Sequence, residues 1–158
     1  MSGIGNSVTN RLVQMLKAPD GLPSTLATLA LPSIADRQIV TQNLPLEIAE
    51  RAFDIRYPTI HIYCEKLANE LAEKFRTFSG KAVLAIELRV SHDRVESLDY
   101  AVHSYVDALT QVLDASRGDW GNGMYYTGGY QAEFTPIKKG GRSFYQMARI
   151  TLTVRVSR

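Results

Sequence analysis

The side chains able to do chemistry are few and scattered. The three histidines, His61, His92 and His103, fall on three different expected elements, without the spacing of a metal-ligand set. Asp93 follows His92 at a strand-to-helix junction, where a cap accounts for it. Cys64 is the one cysteine, so the chain forms no internal disulfide and has no Cys/His metal framework. It falls on the apolar face of its expected strand, as an inert core thiol does. Asp99 and Asp107 share a helix face but stand too far apart to act on one atom, which leaves them to solvent. The glycines of 118–129 lie between a helix and a strand and lack the Gly-Lys-Ser/Thr ending of a phosphate loop. No catalytic, cofactor-binding or metal-ligating residue is assigned, and the expectation is a protein that is not an enzyme.

What remains is chemistry suited to contact. Trp120, Met124, Tyr125 and Tyr126 sit in a glycine-rich stretch, and such side chains dominate protein interfaces. The same stretch also reads as a flexible turn with Trp120 and Tyr125 packed nearby. Lys138, Lys139 and Arg142 cluster at the expected tip of a hairpin. They are either solvated turn residues or a contact with another subunit. Arg89 and Arg155 fall on polar strand faces, positioned to pair with Glu87 or Glu133 across strands or subunits. Exposed pairs of that kind add only about 0–1 kcal/mol and set register more than strength.

The elements that must position these groups follow from hydrophobic period. Val8, Leu12, Met15 and Leu16 give a short amphipathic helix over Ser7–Lys17, capped by Asn6 or Ser7 and stopped by Pro19-Asp20-Gly21. Pro19, Pro23, Pro32 and Pro45 break the next stretch, so residues 19–53 are expected to be an irregular arm or loop. Within it only Arg37–Gln42 has strand character. The arm's apolar content fits either a plain surface loop or a segment packed on a neighbouring subunit.

Pro58–Cys64 predicts a strand, with Ile60, Ile62 and Cys64 on one face and His61 and Tyr63 on the other. Leu67, Leu71 and Phe75 suggest a short helix over Glu65–Phe75, with an extended loop as the alternative. After a turn at Phe78–Lys81, the Ala82–His92 strand alternates Leu84, Ile86, Leu88 and Val90 with Ala85, Glu87, Arg89 and Ser91. Asp93 and Glu96 have the spacing of a capping box for a long helix. Leu98, Val102, Tyr105, Leu109, Val112 and Leu113 are part of its apolar stripe, and Arg117-Gly118 ends it. Met124–Thr135 and Ser143–Val156 form a final hairpin, joined through Pro136–Gly141.

The result is one α+β domain over residues 1–158. It is a two-layer sandwich in which a long helix covers a mainly antiparallel sheet of about four strands, with an N-terminal helix and extended arm added. The far sheet face, with His61, Tyr63, Glu87, Arg89, Thr151, Thr153 and Arg155, is polar enough for water and also suits a subunit contact.

A length of 158 residues is enough for one core, and 45% hydrophobic with 22% charged residues excludes a wholly disordered chain. The net charge of +2 gives no push toward nucleic acid or membrane. The polar start has no apolar leader core, and no run approaches the roughly 18 residues of a spanning helix. The expectation is a protein made and kept in the cytoplasm until it assembles.

Several stretches resemble the tail-terminator (tail-completion) family of long-tailed bacteriophages. They are Tyr57-Pro58-Thr59-Ile60-His61-Ile62-Tyr63, Leu84-Ala85-Ile86-Glu87-Leu88-Arg89-Val90, and Gly128-Gly129-Tyr130 with the strands after it. The runs Gly118–Tyr130 and Pro136–Arg142 are similar to phage neck and tail-completion sequences. The likeness covers Arg56–Arg158 and not Pro19–Phe53. It implies a hexameric ring that caps the tail tube, stops its growth and offers a surface to the head–tail connector or stopper protein. It also implies a sheath contact if the tail is contractile, DNA met only in passage through the lumen, no cofactor and no membrane. The location implied is the virion tail or neck, after assembly in the host cytoplasm. Another neck or head-completion protein, or a non-viral α+β module binding a small ligand or RNA, remains open from the residues alone.

Overall fold

The computed structural model describes residues 3–42, 56–140 and 142–158. Helix α1 is Ile4–Lys17, with Val8, Leu12 and Leu16 fully buried. It begins before the expected Ser7 start, because Ile4 extends the stripe one turn back and also packs on the core. Its cap is Gly3, whose carbonyl accepts the Ser7 N–H, so Ser7 lies inside the helix.

The expected irregular arm is corrected over its described part. Helix α2, Leu22–Thr28, forms with Pro23 in its first turn, where a missing N–H costs no helical bond. Leu22 and Leu26 are buried and pack α2 against the long helix. A single 3₁₀ turn at Asp36–Gln38 leads into strand β1, Ile39–Val40, shorter than the Arg37–Gln42 expectation. Residues 43–53 of the expected arm lie outside the described residues.

Strand β2 is Thr59–Asn69 and β3 is Ser79–His92. The short helix expected over Glu65–Phe75 is absent. The ladder between β2 and β3 instead continues past a bulge at Cys64/Lys66, pairing Lys66–Asn69 with Val83–Gly80. Leu67, Leu71 and Phe75 have no buried surface to cover and are exposed. Ser79, Gly80 and Lys81, expected as a turn, are strand. Gly80 passes so close to the Ala68 carbonyl that a Cβ would sit 1.9 Å from its oxygen.

Helix α3, Val95–Ala115, buries the expected stripe and exposes Asp99, His103, Asp107, Gln111 and Asp114. The expected Asp93/Glu96 capping box does not form. Arg94 is the cap residue, and its N–H donates to His92 Nδ1 at 3.0 Å.

Strands β4 (Gly118–Gly121), β5 (Met124–Phe134), β6 (Lys138–Gly140) and β7 (Ser143–Ser157) complete the fold. The sheet has seven strands in the order β1-β2-β3-β7-β5-β4, with β6 on β7. This corrects the expectation of four. β1 comes from the arm, and β4 from the glycine-rich stretch. β6 resumes the β5 side of the hairpin after Pro136, which has no N–H to give the ladder. All pairs are antiparallel except β1 with β2. One core lies between the sheet and the helices, built on Ile60, Ile62, Leu84, Ile86, Leu88, Ile150, Leu152 and Val154. No described helix is long and apolar enough to cross a membrane.

Candidate interaction surfaces

The β2 and β3 part of the far sheet face is not the wetted surface its polarity suggests. His61 is 2% exposed, Arg89 4% and Tyr63 8%. Strand alternation places all three with Glu87 on that face, and register brings them together because His61 lies directly opposite Glu87 and Tyr63 opposite Ala85. Arg89 Nη2 donates to Glu87 Oε2 at 2.9 Å, and Tyr63 Oη donates to Glu87 Oε1 at 2.6 Å. Arg149, opposite Glu87 on β7, pairs with Glu65 and stands 3.9 Å from Glu87 Oε1.

His61 joins through both ring nitrogens. Nδ1 lies 3.1 Å from the Gln42 carbonyl and Nε2 lies 3.4 Å from Arg89 Nη1. Those partners select the neutral tautomer with its proton on Nδ1. Burial, with the Arg89 charge adding to it, holds the imidazole below its ordinary pKa. Burial and the Glu87 bond push the Tyr63 phenol up. The arrangement resists proton exchange and fixes side chains in place, which is structural work. Arg89 pairs with Glu87 as expected, but along its own strand and buried, which corrects its place at an exposed contact.

The aromatic stretch separates into two kinds of residue. Asn122 and Gly123, with φ of 52° and 79°, make the tight turn between β4 and β5. Trp120, Met124 and Tyr126 then point under α3 and are 4%, 3% and 0% exposed. Trp120 Nε1 donates to the Ser116 carbonyl at 2.7 Å, and its ring centre lies 5.4 Å from that of Tyr126. Burial pushes the Tyr126 phenol up to about 12. These three are core residues, which corrects their expected place at an interface. Tyr125, on the opposite face, is 51% exposed.

Lys138, Lys139 and Arg142 are exposed on β6 and at the hairpin tip. Arg155 is exposed on β7, directly opposite both Lys81 and Tyr125. Lys81 is tied to Glu70 at 3.6 Å. Arg155 forms no ion pair among the described residues. Glu70, Lys81, Tyr125 and Arg155 line a cleft of about 270 Å³ with Glu73 and Ser157. Cys64 is half-buried against the core, and burial raises its thiol pKa. Among the described residues no group of three His, Cys, Asp or Glu is placed to hold a metal ion.

Sequence reading missed the apolar residues left at the sheet's two margins. Tyr130 and Phe134 on β5 and Leu67 on β2 are each more than a third exposed. The signal was present as strand alternation, but alternation does not say where a neighbouring strand ends. No protein-family model matches this chain, and no curated protein matches it.

Proposed function

We propose that the chain is a structural virion protein of a long-tailed phage, a ring subunit that caps the tail tube, stops its polymerisation and joins the tail to the head connector. It acts by shape and has no catalytic step. The observation that carries this reading is the resemblance of 57–63, 84–90, 118–130 and 136–142 to tail-terminator and neck sequences. Those stretches fall on strands of one sheet, namely β2, β3 and the β4-to-β6 region.

Two features support a working surface rather than a working pocket. A basic group, Lys138, Lys139 and Arg142, projects from a hairpin at one end of the sheet. Tyr125 and Arg155 form a separate exposed patch farther along β5 and β7. A ring subunit needs such distinct surfaces for its tube-facing and connector-facing rims. Identical subunits meeting head to tail close a ring when the rotation between them is a whole fraction of a turn.

The test is polymerisation of the tail-tube protein from the same genome with and without the chain. Tubes held short, with a ring at one end, are expected. Tubes that grow to the same lengths in both cases contradict the proposal.

A further inference from the structure

We infer that the two margins of the sheet are complementary, and that Tyr130–Phe134 of β5 in one copy pairs with Cys64–Asn69 of β2 in the next. This deepens the ring reading and rests on it.

Both margins are open among the described residues. β4 pairs with β5 only at Met124–Tyr126, and β1 pairs with β2 only at Ile60 and His61. The blocked ends are the start of β5 and the start of β2. Through β3 and β7 these two strands run in opposite directions. When the sheet continues from one copy to another in the same orientation, they meet antiparallel. Each blocking strand then lies beyond opposite ends of the contact. An open cleft of about 480 Å³ runs between α1 and the β2 margin, lined in part by Asn6, Thr9, Cys64 and Leu67. Unpaired edges of this kind template strand addition.

Side-chain faces fix the register. Tyr130, Ala132 and Phe134 lie on the core-side face, opposite Leu152, Ile150 and Ala148. Beyond the bulge Leu67, opposite Ala82, lies on that same face, and Lys66 lies on the other. Glu133, opposite Arg149, shares the face of Lys66. Face matching allows only registers two residues apart, since a one-residue slip reverses every side chain. Of these, one sets Lys66 against Glu133, and the neighbouring choices set it against Gln131 or Thr135. Both charges are exposed and neither forms an ion pair among the described residues. In that register Leu67 faces the small Ala132, with Tyr130 and Phe134 on either side.

The experiment uses the full chain with Cys64→Ser, Leu67→Cys and Ala132→Cys together. Within one copy the two introduced thiols are three strand spacings apart across the sheet and are also offset along it, Leu67 being level with Ala82 and Ala132 with Ile86; the separation exceeds about 14 Å, beyond disulfide reach of about 7 Å between Cα atoms. Mild oxidation is expected to give a ladder of covalent oligomers, and neither single-thiol variant gives one. In parallel, Lys66→Glu and Glu133→Lys are each expected to weaken association about tenfold, and the two together to restore it. A covalent dimer from Ala132→Cys alone overturns the inference, because two β5 margins would then face each other. No covalent product from a chain whose native mass is oligomeric also overturns it, while leaving the ring reading standing. A chain that stays monomeric alone and with tail-tube protein defeats both.

Discussion

Arg89 reaches back along its own strand to Glu87, the guanidinium Nη2 standing 2.9 Å from Oε2, with the two side chains only 5% and 13% exposed. The pair lies on the sheet face opposite the core, and Glu87 also accepts from Tyr63. Removing Glu87 takes the carboxylate counter-charge away from a buried guanidinium. Glu87→Gln is therefore expected to lower unfolding free energy by about 3 kcal/mol. Urea denaturation measures this, and a loss below about 1 kcal/mol would show that the pair is effectively solvated.

His61 makes stability depend on pH. Its folded-state pKa is depressed, so the unfolded chain takes up the proton first as pH falls. Stability from this group is full above the unfolded value of about 6.5. It is lost as pH falls from there through the lower folded value. Denaturation midpoints should drop as pH falls below about 6.5, and His61→Asn should flatten that part of the profile. An unchanged slope in the variant would assign the effect to other groups.

Trp120 is expected to behave as a core residue. Trp120→Ala should cost about 3–5 kcal/mol, since it empties the space beside Tyr126 and removes the bond to the Ser116 carbonyl. Trp120→Phe keeps most of the volume and should cost much less. Equal and small losses from both, read by thermal unfolding, would return the residue to the surface.

The basic hairpin should separate assembly from folding. Lys138→Glu with Lys139→Glu changes exposed residues only, so unfolding free energy should stay within about 0.5 kcal/mol of the parent. Capping of tail tubes or joining to the connector is expected to fall. Normal tail length and head joining from this variant would remove these lysines from the contact.

Much of the architecture was legible because periodicity reports which side of an element is apolar. The alternation in 82–90 and 150–156 and the stripe from Leu98 to Leu113 became β3, β7 and α3. The arm was misread because its prolines were weighed equally, although Pro23 sits where a helix tolerates it. The glycines of 118–123 do not say which aromatic residue turns inward: Asn122-Gly123 makes a tight turn that carries Trp120, as one reading has it, and Tyr126 into the core, while Tyr125 stays outside. Polarity also misled on the far sheet face. His61 and Arg89 look solvent-loving one at a time, and only the register across β2, β3 and β7 shows that they satisfy one another.

On the proposed reading, this chain works as a ring on a tail tube. The most direct measurement is the native mass of the purified protein, alone and mixed with its tail-tube protein. A closed oligomer, or a monomer that forms a ring only on tube ends, is the expected result. A monomer that ignores the tubes would contradict the account and favour a small-ligand or RNA-binding module.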